Sequence, residues 1–233
     1  MINLRTKSLE NTIMFKTNKC DNVFTSKNLK MIKSLDLNPI DITQKYNKIY
    51  LEDLKYFPSL KYLTISNMHI DIASFAYILR LENLVSLSFI SCTFQDLSIL
   101  SNFKLNHIAF INSEVENLGV INRVKNVKEL TLIGYKNIDL SYFFNLNLTY
   151  LELSNSTVKS LNDLNEFTNL NILKISNTNI MNLEFLLSLK KLKTLYITST
   201  QYQANKGIIM SLLKTKILIY IDSNILINKG EQK

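Results

Sequence analysis

Two histidines, His69 and His107, and two cysteines, Cys20 and Cys92, are the side chains of this 233-residue chain best suited to metal ligation or nucleophilic attack. Their spacing supports neither. No histidine has a second histidine or a cysteine at metal-site separation, and no C-x-x-C or H-E-x-x-H string occurs. A phosphate loop of the form G-x-x-x-x-G-K-[ST] and a G-x-S-x-G nucleophile turn are missing as well. Only four glycines are present, so the chain is poor in the residue such loops need. The expectation is a protein that is not an enzyme and needs no cofactor or metal.

The chemistry that remains is recognition. Glu129, Tyr150, Glu152, Lys174 and Tyr196 recur on successive segments 21 or 22 residues apart, with Tyr220 extending the series. Tyrosines flanked by charges have the composition of interface hot spots. A second group joins Ile90, Ile111 and Ile133 with Ala109 and His107. Both groups matter only if local structure turns them outward together, and a repeat in the chain does so.

Segments starting at Leu60, Leu84, Leu105, Val127, Leu148, Leu170 and Leu192 align at intervals of 21 to 24 residues. Each carries apolar residues at offsets zero, three and five, as in Leu148/Leu151/Leu153 and Leu170/Leu173/Ile175. All 21 sites are apolar in a chain that is 46% apolar, a coincidence of about one in 10⁷. Offsets three and five alternate with polar residues and so predict a short half-buried strand. Later apolar sites fall three apart, as in Ile180, Leu183, Leu186 and Leu189, which predicts 3-10 or loosely helical return segments. One such unit cannot bury its own apolar edge, but stacked copies can. Offset seven holds Asn67, Ser91, Asn112, Gly134, Asn155, Asn177 and Ser199, small or polar residues expected to bond backbone groups at the turn.

This pattern resembles the bacterial leucine-rich repeat family, in the internalin-like 22-residue class with L-x-x-L-x-L-x-x-[N/T]-x-I-x-x-L, over about residues 60–200. At offset eight, where the family has Asn, the chain has Met68, Cys92, Ser113, Tyr135, Ser156, Thr178 and Thr200. The resemblance implies an α/β solenoid: an arc with a parallel strand ladder on the concave side and short 3-10 or helical segments on the convex side. It also implies a non-catalytic module that binds another protein on the concave face, as a regulator or inhibitor. Side chains at offsets two, four and six would form that face. They include Ile90, Ile111 and Ile133, which should touch on consecutive rungs, and His107, Ala109, Glu129, Tyr150, Glu152, Lys174 and Tyr196.

The remainder reads as one domain. Residues 1–36 are expected to form an irregular cap, 37–216 the repeats and 217–233 a closing cap. Leu37, Ile40 and Ile42 fit the template as a further strand, Ile13 to Asn18 as an irregular first rung, and Ser26 to Ser34 as a short helix capped by Ser26. Gly207 to Lys216 predicts a true helix, Ile217, Ile219 and Ile221 a last strand, and Ile225 to Ile227 the closure. The formal charge is +8, with Lys190, Lys191 and Lys193 the densest basic group. The alternative reading is therefore a nucleic-acid accessory protein using basic terminal regions, a weaker expectation because the basic residues are spread out. No apolar run approaches the roughly 18 residues that span a bilayer. Arg5, Lys7, Glu10 and Lys16 interrupt the start, so no secretion-signal core is visible, and two cysteines suit a reducing compartment. A cytoplasmic protein with no membrane contact is expected, and high Lys, Asn and Ile usage suggests an AT-rich bacterial, phage or plasmid gene.

Overall fold

A computed structural model describes residues 2–17, 24–39, 48–215 and 217–226. The chain divides into two compact units, Met1–Asn126 and Val127–Lys233. The first opens with helices α1 (Ser8–Thr17) and α2 (Ser26–Leu29) and strand β1 (Ser34–Leu37). A 3-10 turn at Leu51–Tyr56 leads to β2 (Tyr62–Ser66), β3 (His69–Ile70) and α3 (Ile72–Ile78). Then come β4 (Ser86–Ile90), β5 (Thr93–Phe94), a 3-10 turn at Ser98–Asn102, β6 (His107–Ile111) and a 3-10 turn at Leu118–Arg123. The second unit alternates β7 (Glu129–Ile133), β8 (Tyr150–Glu152), β9 (Ile172–Lys174) and β10 (Thr194–Ile197) with 3-10 turns at Leu140–Phe143, Asn162–Glu166 and Glu184–Leu187. It closes with α4 (Ser199–Ala204), α5 (Lys206–Leu213), β11 (Leu218–Ile221) and β12 (Asn224–Leu226).

The ladders follow the repeat register. In the first unit β1, β2, β4 and β6 pair in parallel, with Leu35, Leu63, Leu87 and Ile108 in line. In the second, β7 to β11 do the same through Leu130, Leu151, Leu173, Leu195 and Ile219, and β12 returns antiparallel along β11. The residues at offsets three and five are buried behind their ladders, against return-segment residues such as Leu164, Ile180, Leu183 and Leu186. Burying one such leucine contributes about 1.5–3 kcal/mol, so the repeated sites supply most of each core.

Turn chemistry divides between two positions. Offset seven carries the left-handed backbone: Asn67, Ser91, Asn112, Asn155 and Asn177 lie between φ 48° and 57°, and Gly134 has φ 85°. Asparagine and glycine tolerate that conformation best, which is why they recur there. These side chains are exposed, and Asn177 Nδ2 donates to Asn155 Oδ1 at 3.0 Å instead of to an inward backbone group. Inward bonding falls to offset eight. Ser113 Oγ donates to the Phe89 or Ile111 carbonyl (3.3 and 3.2 Å) and accepts from Cys92 N, and Ser156 Oγ donates to Leu132 O at 3.1 Å and accepts from Tyr135 N. Ser and Cys thus fill the places where the family pattern has Asn. At the last turn, α4 replaces the left-handed residue, capped by Thr198, and Gln201 Nε2 reaches Ile175 O and Ile180 O at 3.0 and 2.9 Å.

Three expectations at the edges are corrected. The first strand is Ser34–Leu37, so its inward residues are Ile32, Leu35 and Leu37, five positions before the expected start at Leu37. The ladder sets this register, pairing Leu35 with Leu63 and Leu37 with Ile65 so that Ile32 takes offset zero; Ile40 and Ile42 lie outside the described residues. The expected rung at Ile13 to Thr17 is the end of α1, in which Leu9 and Ile13, one helical turn apart, are both buried; Asn18 lies outside the described residues. Helix α2 ends at Leu29 and is capped by Thr25, not Ser26. The later helix spans Lys206–Leu213, and the closing strand ends at Leu226; Lys216, Ile227 and Cys20 lie outside the described residues.

No local spacing points to Asp53. This carboxylate is buried and accepts from the main-chain N–H groups of Arg5 (3.2 Å) and Thr6 (2.7 Å), tying the segment before α1 to the Leu51–Tyr56 turn. Thr6 Oγ1 accepts from Tyr50 N at 2.8 Å beside it, and Arg5 pairs with Glu52. Asp53→Ala leaves two donors without their acceptor and should cost about 1–3 kcal/mol in urea denaturation. A loss below a few tenths of a kcal/mol would show that the tie is not holding the segment.

Candidate functional site: the strand faces

In the first unit the outward residues of the ladder form a mostly small polar surface with one apolar corner. Ile90 and Ile111 are register partners on β4 and β6 and are half-buried. His107 is also half-buried, with Nδ1 2.8 Å from Ser86 Oγ on the neighbouring strand. Ala109, expected on this face, is only 2% exposed. Its single methyl lies below the taller His107 and Ile111 side chains two residues away on the same face. Tyr62, 51% exposed at the same offset as His107, was not singled out from the sequence, although its position made it visible.

Ile133 stands on β7 of the second unit, half-buried, with Glu129 at the other end of the strand. Strand register then builds two rows across this unit. Glu129, Tyr150, Ile172, Thr194 and Leu218 form one; Glu152, Lys174, Tyr196 and Tyr220 form the other. The alternation of strand side chains turns both rows away from the core. Leu218 is 53% exposed and escaped the sequence reading, although the outward parity of the last strand would have found it.

Side-chain contacts lock the second row. Tyr150 donates its hydroxyl to Glu152 Oε2, and Lys174 Nζ reaches the same oxygen at 3.4 Å. The Lys174 ammonium also sits 5.4 Å from the Tyr150 ring centroid and 5.1 Å from that of Tyr196. Tyr196 and Tyr220 stack with centroids 4.4 Å apart and planes 7° from parallel. The Lys174–Glu152 pair is part-exposed and by itself contributes only ~0–1 kcal/mol. Its larger effect is to fix the rings between which Lys174 lies.

The titration of the row follows from these contacts. Burial first, then the hydrogen bond to Glu152, pushes the Tyr150 phenol up to about 12. Burial opposes the Lys174 ammonium, but contact with Tyr150 and Glu152 outweighs it and raises its pKa. Tyr196 is raised by burial and by neighbouring Tyr220. Because the folded pKa of Tyr150 exceeds the ordinary phenol value near 10, its contribution to stability is complete below about pH 10. That contribution is lost as pH rises through about 12. An ultraviolet titration should lose its latest-ionising phenol in Tyr150→Phe; a profile unchanged by that substitution would place Tyr150 in ordinary solvent.

Other reactive groups are engaged in packing. Cys92 is fully buried, its thiol directed to Ile65 O and Ile90 O at 3.3 and 3.4 Å, and burial pushes its pKa up. His69 is exposed and pairs with Thr93 Oγ1 at 2.9 Å. Among the described residues no three His, Cys, Asp or Glu side chains are grouped to hold a metal, and no helix is long and apolar enough to cross a membrane.

Parallel strands in leucine register, left-handed turn residues and 3-10 returns define a leucine-rich-repeat fold of the internalin-like kind. Solved structures with this fold include an internalin, InlF, from Listeria monocytogenes, at 21% identity and TM-score 0.56 over 88% of this chain and 59% of that one. A leucine-rich-repeat protein from Leptospira interrogans is similar at 19% identity and TM-score 0.51, over 83% of this chain and 50% of that one. The chain therefore spans between half and three-fifths of the length of these two structures. No protein-family model and no curated protein matches the sequence.

Proposed function

We propose that this chain is a non-catalytic binding module that holds another protein against its outward strand residues and regulates or inhibits that partner by occupying its surface. The observation that carries this reading is the Tyr150–Glu152–Lys174–Tyr196–Tyr220 row, whose contacts arrange three aromatic rings and a cation before any partner arrives. A preformed array avoids the cost of ordering rotamers on binding, which is about 0.5–1.5 kcal/mol for each flexible side chain. Tyrosine supplies a large contact area for two side-chain torsions, so this composition suits a protein surface. Ile90, His107, Ile111, Glu129 and Ile133 would extend the contact in their own units. Tagged chain should capture a partner from its native cell, and Tyr150→Ala with Tyr196→Ala should abolish that capture. Capture that survives this pair and also Ile111→Glu would refute the assignment of the strand faces.

A further inference from the structure

Among the described residues of the first unit, four large apolar or aromatic side chains are more than a third exposed: Met31 (67%), Tyr62, Ile72 and Val85. Ile72 opens α3, on the return side. The other three share one rim, where the chain enters its first three ladder strands. Backbone bonds make that rim continuous. Lys33 O accepts from Lys61 N and Tyr62 N at 2.8 and 3.0 Å, and Lys61 O accepts from Val85 N at 2.9 Å. Met31 stands two residues before Lys33. Lysines alternate with these side chains: Lys33 and Lys61 are neighbours across two rungs, and Lys27 and Lys30, three apart along α2 and its C-cap, precede Met31. All four are exposed, and none makes an ion pair or a side-chain hydrogen bond among the described residues. Asp36 and Glu82 are the acidic residues flanking these segments, so four ammonium groups stand against two carboxylates. Like charges on neighbouring rungs repel, a cost that an anionic surface relieves.

The residue types select among anionic occupants. Every cation here is lysine, a mobile point charge, and not arginine, whose planar fork matches a single carboxylate or phosphate. Lysine is depleted from protein–protein contacts, where its flexible stem must be ordered. A lipid surface asks for no fixed geometry and leaves the ammonium free to snorkel. We infer that this rim docks on the surface of an anionic phospholipid bilayer, with Lys27, Lys30, Lys33 and Lys61 among the headgroups and Met31, Tyr62 and Val85 entering the interface. Tyrosine belongs at that depth, its ring in the apolar boundary and its hydroxyl in water. The contact is peripheral and needs no spanning segment, the lack of which was the ground for expecting no membrane contact. It lies outside the tyrosine row of the second unit and does not depend on the binding-module reading.

The test floats the full chain with vesicles of phosphatidylcholine alone or with about 30% phosphatidylserine, at about 100 mM salt. The serine-lipid vesicles should bind the chain at least about a hundredfold more tightly. Lys33→Glu with Lys61→Glu should weaken that binding about twentyfold or more, and Glu82→Lys should strengthen it about fivefold, each with the melting temperature within a few degrees of the parent. The chain contains no tryptophan, so Met31→Trp supplies a single reporter whose emission should move to shorter wavelength on the serine-lipid vesicles. Leu218→Trp, whose backbone N–H bonds Lys193 O in the other basic region, should not move. Equal binding to both vesicles, binding to neither, binding unchanged by the two glutamates, or a shift at 218 without one at 31 overturns the proposal. So does capture of an acidic protein that the two glutamates abolish while the vesicles bind nothing, which would give the rim to a protein instead. Tyr150→Ala with Tyr196→Ala, which tests the protein-binding face, should leave vesicle binding unchanged; its loss would move the lipid contact to the second unit and overturn the proposal.

Discussion

A chain carrying Tyr150→Ala and Tyr196→Ala is expected to lose its captured partner completely while its melting temperature stays within a few degrees of the parent. Both tyrosines are half-buried on the outward side of the ladder, so their removal opens no cavity in the core. What they hold is the row itself. Without Tyr150, Glu152 loses the phenol that donates to it; without Tyr196, Lys174 loses one of its two rings and Tyr220 its stacking partner. Interface residues of this kind cost about 2 kcal/mol or more each when truncated, so the pair together should weaken binding at least about a thousandfold. Glu152→Gln keeps one acceptor for Tyr150 and should fall between parent and double variant. A double variant that binds as well as the parent, measured by titration calorimetry once the partner is in hand, would remove the row from the interface.

Phe89→Ala should be the most destabilising single change in the first unit. Phe89 is fully buried at offset five of β4, where the repeat calls for an apolar residue of leucine size. Its ring lies 5.0 Å from Phe94, 5.4 Å from Phe110 and 6.1 Å from Phe75, so four phenylalanines share one core site. Truncation removes the transfer energy of the ring and leaves a cavity that rigid neighbours cannot fill, together about 3–5 kcal/mol. Urea denaturation followed through the first unit should report that loss, with Phe94→Ala costing less because Phe94 is only half-buried. A cost under about 1 kcal/mol would mean that the cluster collapses to fill the space.

The sequence makes the ladder legible because leucine-sized residues at offsets zero, three and five leave little room for another register. Strand parity then decides which side chains point outward, and Tyr150, Lys174 and Tyr196 fell into adjacent rows as the spacing required. Four features were not legible, for physical reasons that particular residues show. The depth of Ala109 depends on the height of its neighbours, which periodicity does not encode. The first strand moved five residues because Ile32/Leu35/Leu37 and Leu37/Ile40/Ile42 satisfy the same pattern, and pairing with β2 selects the first of them. Asp53 binds backbone groups some 47 residues away, a contact for which no local spacing exists. The direction of the Lys174 ammonium, toward two rings and a carboxylate at once, likewise depends on three strands together.

The most direct measurement places a photoreactive benzophenone amino acid at Ile172, in the first row of the second unit, or at Leu187, which is 48% exposed in the Glu184–Leu187 return turn. After irradiation in the native cell, the chain labelled at 172 should cross-link to a single protein, and the chain labelled at 187 should not. Cross-linking to that protein from 187, with none from 172, would put the partner on the return side and contradict the account.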